Sequence, residues 1–536
     1  MPEIAPGLWQ IHFPSAGVDR SQAFGRPPNR EVAGAYARTC QTGVNVRAFD
    51  RLGRRRGGSR AGQSRYLATR PGGVRWVTQH LATIVTTGDA SVAQLSNSGR
   101  KVRLLAVSQG NIYWTEPEGT VWNSTTNNSG ATPPLNITGV MYSTACVQKR
   151  WFVDGTNYVV FDPRTNIVNR WEATSGSLPY DSSGRPAQLI CTWRGRVVLA
   201  RLFLEPQNWF MSRVMNPLDY NYGSNSNDSA QAVAGNNSPM GQIGDAVTSL
   251  IPYSDDVLIF GCDSSIYAMR GDPYHGGSID LVTKRVGMAF GVPWAMDPQG
   301  RIFFFSSTGG VYAMSPNSRA DSVVRISQPI EQMVQAVNTG THNVIMEWDD
   351  VGQELHVWVT KLAERADTDH FVWEERTKGW WVDRYANQDH NPLCSCVVDG
   401  NRPEDRTLVL GGWDGFVRKL DHEATTDDGT PIESEVIVGP LRTKDFDDLV
   451  VDESQAVMAD GSGAVAMEFL VGKTAEAALA STPKPVATLA AGRNPVRATR
   501  VAGHAVYAKL SSDVAWSMEE IRLRVKTTGK VRRRVS

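Results

Sequence analysis

Three kinds of residue in this sequence could do chemistry. Carboxylates stand in adjacent pairs at Asp255-Asp256, Asp349-Asp350 and Glu374-Glu375. Glycoside hydrolysis needs two carboxylates facing each other across a sugar, but acids at turns are also the ordinary solvated residues of loops. Cys394 and Cys396 form the one close thiol pair. Their C-x-C spacing has no second pair downstream to complete a four-ligand zinc site, so buried thiols on a strand are the expectation and no metal is assigned. Arginines are the third kind. Arg51, Arg54, Arg55, Arg56 and Arg60 crowd one stretch, and Arg532, Arg533 and Arg534 crowd another. Such clusters suit contact with phosphate or with an acidic partner surface, each phosphate contact adding salt-dependent affinity. The same composition also describes two solvated ends.

The motifs that would bring cofactor or nucleophile chemistry are missing. The sequence has no G-x-x-x-x-G-K-[ST], no H-E-x-x-H and no G-x-S-x-G, and its nine histidines show no ligand spacing on a shared element. Sialidase-type Ser-x-Asp-x-Gly-x-x-Trp turns are absent as well. The expectation is a protein that is not an enzyme and has neither catalytic residues nor a cofactor. Trp348, Trp358, Trp373, Trp380 and Trp381 fall at strand spacing. A stacking platform for sugars or bases is one use of such rings; the large burial they supply makes core the favoured one.

Composition narrows the partners. Lys plus Arg equals Asp plus Glu at 55 each, so no global field draws the chain to DNA or to an anionic membrane, and any such attraction is local. Six scattered cysteines and a start without a basic and apolar leader point to synthesis in a reducing cytoplasm. No run approaches the ~18 apolar residues that span a bilayer. The sequons at Asn123 and Asn136 then read as polar turns.

The elements that must position these residues are strands. Two small or turn-forming residues precede a β-branched or aromatic pair at Gly110-Asn111-Ile112-Tyr113, Ser264-Ser265-Ile266-Tyr267, Gly309-Gly310-Val311-Tyr312 and Asp414-Gly415-Phe416-Val417. Echoes at Tyr158 and near Trp373 keep a spacing of about 45 residues, the period of four-stranded propeller blades. The fold class expected is all-β: a six- or seven-bladed β-propeller with an extended N-terminal arm and a C-terminal β-sandwich-like domain. Seven strand-turn-strand units centre on 104–122, 144–172, 187–212, 246–270, 292–314, 343–384 and 392–421. The boundaries are 1–65 for the arm, too poor in apolar positions to build its own core and so ordered by a partner, 66–430 for the propeller and 431–536 for the sandwich-like domain. Residues 223–239, nearly all turn-formers, read as a long surface loop.

Ordered text between the repeats carries a resemblance. Ser212-Arg213-Val214-Met215-Asn216-Pro217-Leu218-Asp219-Tyr220 is followed by Leu250 to Phe260 with its Tyr253-Ser254-Asp255-Asp256 centre, then by Ile266 to Pro273. Gly300 to Ser306 precedes Gly309-Gly310-Val311-Tyr312, and Gly411-Gly412-Trp413-Asp414-Gly415-Phe416-Val417 closes the series. In this order the segments resemble the propeller of tail hub proteins of short-tailed bacteriophages, also called nozzle, tail tubular B or packaged-DNA stabilisation proteins. The Arg- and Gly-rich stretch 54–73 is similar to how such chains approach their first blade. The resemblance spans about 50–440.

What the resemblance implies is a structural virion protein, made in the host bacterial cytoplasm and located in the virion tail. Such proteins form a homo-oligomeric ring, usually a hexamer, below the portal-adaptor ring; they extend the channel for double-stranded DNA, meet tail fibres or spikes, and retain packaged DNA until ejection. Closed rings of one chain need side-to-side interfaces that close by rotation, which a rigid disc supplies. The basic stretch Arg51 to Arg60 would contact the adaptor or DNA. The rival readings are a propeller enzyme acting on polysaccharide, such as a tail depolymerase, and a cytosolic propeller interaction scaffold. A funnel lined by Asp349, Glu374 or Glu375 would favour the enzyme.

Overall fold

The computed structural model describes residues 3–527 apart from 6, 22–28, 33–34, 51–52, 70–73, 84–99, 109, 117–118, 128–139, 224–227, 316–322, 400–405 and 442–447. Arg51, Arg532, Arg533 and Arg534 lie outside the described residues, as do Asn136 and part of the 223–239 loop.

The chain is an all-β, multi-sheet fold of propeller-like architecture. Short β-branched and aromatic runs punctuated by turn residues pair with their sequence neighbours, and seven successive antiparallel sheets result. Their first strands are Val74–Thr83, Tyr142–Cys146, Leu189–Trp193, Val247–Ser254, Trp294–Met296, His342–Asp349 and Cys394–Val398. The seven units read from the sequence fall one on each sheet. The repeated signature marks the third strand: Asn111–Thr115, Tyr158–Asp162, Ile266–Arg270, Val311–Met314, His370–Glu374 and Val417–Asp421. Its aliphatic member is buried at Ile112, Ile266, Val311 and Val417, while Tyr113, Tyr267 and Tyr312 are half-buried, as period-two alternation requires.

The seventh sheet borrows its fourth strand from the N-terminal side. Gly62–Arg65 pairs antiparallel with Val417–Asp421, placing Gln63 opposite Leu420 and Arg65 opposite Arg418. The first strand of this sheet also packs against Val74–Thr83 of the first.

Residues after Thr430 lie in two sheets, one of which continues the sixth sheet through Thr42–Val44. Ser434–Leu441, Ala505–Ser512, Val465–Gly472 and Lys484–Leu489 are neighbours in one; Met518–Thr527 and Leu449–Met458 are central in the other. Their apolar faces share one core with the fifth and sixth sheets, in which Val436, Phe469, Ile521 and Leu523 join Phe303, Trp348, Trp380 and Trp381. The five tryptophans at strand spacing are therefore core: Trp358, Trp380 and Trp381 are almost fully buried, and Trp348 and Trp373 nearly so. Between Thr474 and Ser481 the chain makes the short helix Ala475–Leu479, capped by Thr474 Oγ1 accepting from the Ala477 N–H at 3.1 Å.

The N-terminal stretch differs from the partner-ordered arm expected of it. Leu8–Ile11 pairs with Met518–Thr527, and Thr42–Val44 pairs with Ser434–Leu441 on one side and touches Gly379–Asp383 through Val44 and Val382 on the other. These runs are too short to form a sheet alone, and each completes a sheet of its own chain. The 223–239 stretch is likewise only partly loop, because Val233–Ala234 is the outer strand of the third sheet.

Candidate functional site

Thr42 to Arg65 lies where the sixth sheet, the seventh sheet and the C-terminal sheets meet, and buried arginines fasten it there. Arg47 donates Nη1 and Nη2 to the two oxygens of Asp383, both at 2.8 Å, and Nε to Glu354 Oε1 at 3.0 Å. Arg60 donates Nη1 and Nη2 to Asp427 at 2.9 and 2.6 Å and Nε to Asn45 Oδ1 at 3.0 Å. Bidentate pairs of this kind are the strongest ionic contacts a side chain makes. Burial works against charge on Asp383, yet Arg47 and Arg60 outweigh it and hold that carboxyl well below the usual range. Burial opposes charge on Arg47 too, and Asp383 and Glu354 outweigh it in turn.

Two adjoining cavities open beside these pairs. One of about 200 Å³ is lined by Arg47, Glu354, His356, Asp383, Tyr385 and His422. Its neighbour, about 500 Å³, is lined by Tyr66, Asp349, Arg406, Asp421 and His422 among others. Asp349 thus reaches a cavity, as the enzyme reading asked, but its Oδ2 is 3.1 Å from His422 Nε2. The hydrogen bond to Asp349 raises the imidazole pKa, so His422 holds a proton more firmly than a free imidazole and Asp349 is engaged by its own chain. Asp421 accepts from Ser64 Oγ at 2.7 Å. Glu374 is in neither cavity lining. It is fully buried at the end of the strand His370–Glu374, where Arg376 and Thr377 donate to it at 3.0 and 2.7 Å; Glu375 pairs with Lys378 and Arg301. Asp256 sits 3.6 Å from Arg194 on an exposed turn.

His390, Asp414 and Asp428 offer ligand atoms within 4.8 Å of one another, a cluster no sequence spacing announced. Arg418 already supplies their cation. It is almost wholly buried and donates Nη1 to Asp414 at 2.9 Å and Nε to Asp428 at 3.1 Å. Burial, and then the charge of Arg418, lowers the pKa of His390. Cys394 and Cys396 lie on one strand and are not joined in a disulfide.

The arginines singled out by sequence part company here. Arg60 is buried in its own chain's ion pairs and is not offered to a partner, which corrects its expected role; its neighbour Asp427 arrives from 367 residues away and could not be paired with it by sequence. Arg54 and Arg55 are exposed. Arg56 is half-buried, 2.9 Å from Glu519 and 3.9 Å from Asp50. Arg55 and Arg56 line a third cavity of about 290 Å³ together with His12, Ser15, Arg38 and Glu519. Gly57 sets this arrangement. Its φ is +79°, and a Cβ there would lie 2.0 Å from the Phe13 ring, itself packed on Trp381 and Trp516. Arg38 was not among the residues singled out, since an isolated arginine carries no spacing signal.

No family model matches the chain, and no curated protein matches it. Solved structures resemble it at low identity. BBS1N in complex with ARL6DN shows 9% identity over 68% of this chain and 99% of that one, with a TM-score of 0.39. YCF48 from Cyanidioschyzon merolae shows 11% identity over 68% and 99%, with a TM-score of 0.38. The extracellular domain of a hybrid two component system from B. thetaiotaomicron shows 13% identity over 74% and 46%, with a TM-score of 0.43. Similarity at this level leaves function to be argued from the site. Among the described residues no helix is long and apolar enough to cross a membrane.

Proposed function

We propose that this chain is a rigid, non-enzymatic interaction scaffold: the seven sheets close as a seven-bladed propeller, and the sheets after Thr430 form a sandwich fused to it. One observation carries the reading. The carboxylates Asp349, Glu354, Asp383 and Asp421, which line the junction cavities, are each engaged by a group of the same chain: His422, Arg47, Arg47 again and Ser64. A hydrolase pair needs one carboxyl held protonated and one held free. Here the ionic contacts lock the N-terminal stretch to the sheets instead. The packing of Cys394–Val398 on Val74–Thr83 and the strand lent by Gly62–Arg65 support ring closure.

The specific scaffold we propose is a tail hub, or nozzle, subunit of a short-tailed bacteriophage, supported by the ordered text from Ser212 to Val417. In that role copies assemble side to side into a ring, a hexamer by the resemblance, below the portal-adaptor ring. DNA passes along the ring axis, and fibres or spikes attach outside. Arg54 and Arg55, exposed near the C-terminal sheets, are the described members of the basic stretch free to meet a neighbour.

The test is assembly. The full chain at micromolar concentration, imaged by negative stain with and without portal and adaptor proteins of a short-tailed bacteriophage, is expected to form rings that cap the adaptor. Monomers that ignore both proteins would remove the tail reading and leave the scaffold. Release of reducing ends from capsular polysaccharide would remove both.

A further inference from the structure

We propose that the cavity between Arg38 and Arg55 is a binding site for a phosphate-class dianion, either free phosphate or a terminal phosphoryl group of a larger molecule. The proposal does not depend on the tail reading.

The cavity is cationic beyond what its own acids neutralise. Arg38 ends the strand Ala35–Arg38, and its Nη1 is buried with no hydrogen-bond partner. A buried unpaired donor is costly, more so when charged, so such a group persists where something else satisfies it. Desolvation lowers the Arg38 pKa, and no carboxylate offsets it. Of the other charged groups lining the cavity, Arg56 is engaged by Glu519 at 2.9 Å, which leaves the exposed Arg55 as a second positive charge. His12 and Ser15 add a ring nitrogen and a hydroxyl. Burial first, and Arg38 second, lowers the His12 pKa, consistent with a positive field inside the cavity.

Charge and size select the ligand. Two unengaged guanidiniums match a dianion, whereas a single carboxylate would leave one charge uncompensated. Planar guanidinium forks bind tetrahedral oxyanions through paired N–H donors. A volume of about 290 Å³ holds such an ion with several waters, each of which takes roughly 30 Å³.

The experiment is calorimetric titration of the full chain with sodium phosphate at constant ionic strength, for the natural protein, R38M and R55Q. Saturable millimolar or tighter binding is expected, weakened about tenfold in R55Q and abolished in R38M. R55Q changes an exposed side chain and so keeps the test decisive if R38M fails to fold. Short oligonucleotides with and without a 5′-phosphate separate the two sources. Tighter binding of the phosphorylated form than of inorganic phosphate assigns a phosphoryl terminus, and equal behaviour of the two oligonucleotides assigns free phosphate. No heat from phosphate or from either oligonucleotide, or phosphate binding unchanged in R55Q, would overturn the proposal.

Discussion

Arg60 and Asp427 meet in a bidentate pair, Nη2 to Oδ2 at 2.6 Å, and so join the N-terminal stretch to the hairpin at the edge of the seventh sheet. Both side chains are almost fully enclosed, at 5% and 2% exposure. Removing one partner of such a pair strands the other charge. R60M is therefore expected to destabilise the protein by about 3–5 kcal/mol. In the R60M/D427N double variant the loss should be smaller than the sum of the single losses, because no unpaired charge remains. Urea unfolding followed by tryptophan fluorescence measures all three. Strict additivity would mean that the pair does not hold the junction.

A second fastening is backbone to backbone. Gly17 has φ +67°, and a Cβ at this position would sit 2.1 Å from the Trp380 carbonyl oxygen, which also accepts from the Val18 N–H at 2.7 Å. G17A must push the N-terminal stretch off the sixth sheet or break that bond. An expected loss of about 2 kcal/mol or more follows from strain at a left-handed position combined with a clash. Limited proteolysis should release the N-terminal stretch earlier in G17A than in the natural protein. An unchanged cleavage pattern at equal stability would sink the idea.

How much of this was visible in the sequence depends on the range of the interaction. The Ile112, Ile266, Val311 and Val417 strands announced themselves because sheet pairing here joins sequence neighbours, and period-two alternation is a local property. The same locality explains why five tryptophans at strand spacing could be assigned to the core. Gly62–Arg65 could not be read as the outer strand of the seventh sheet, since four residues carry little pattern and their partner lies some 350 residues on. The arginines show the limit most clearly. Arg54, Arg55 and Arg60 look alike in one basic run, yet two are exposed and one is neutralised by Asp427, a partner that only the folded chain supplies. The unpaired donor of Arg38 was hidden for the same reason.

Asp349 and His422 give the larger cavity a pH dependence. Hydrogen bonding to Asp349 raises the His422 pKa, so its contribution to stability is complete below the unfolded-state value of about 6.5 and is lost as pH rises through the higher folded value. Burial pushes Asp349 up, but the bond and charge of His422, the charge of His356 and the Gly352 N–H together outweigh it and leave the carboxyl lowered; that contribution is present above about pH 3.9 and is lost in acid. The pair is strongest between these limits. H422Q should therefore lower the Tm most near pH 5.5 and least near pH 9, by a modest amount because the imidazole is 38% exposed. Equal Tm differences at both pH values would show that the pair is not ionic.

His370 works with the opposite sign. Val359 N–H donates to its Nδ1 at 3.1 Å, so in the neutral ring the proton sits on Nε2, 2.9 Å from Asn391 Oδ1. A second proton could only enter on the nitrogen that already accepts a backbone N–H. Burial lowers its pKa to about 4. Between pH 6.5 and 4 the unfolded chain binds a proton at this position that the folded chain refuses, so stability falls as pH falls through that window and is flat above it. The shift corresponds to a loss on the order of 3 kcal/mol across the window. H370Q removes the titrating group while keeping a polar side chain in the same place. It should be less stable than the natural protein at pH 7, and its stability should decline less between pH 6.5 and 4, because His356 and the other groups keep their own share of the slope. Urea unfolding at pH 7, 6, 5 and 4 reads both quantities. A slope unchanged by H370Q would mean that this imidazole is not the acid-sensitive group in the sixth sheet.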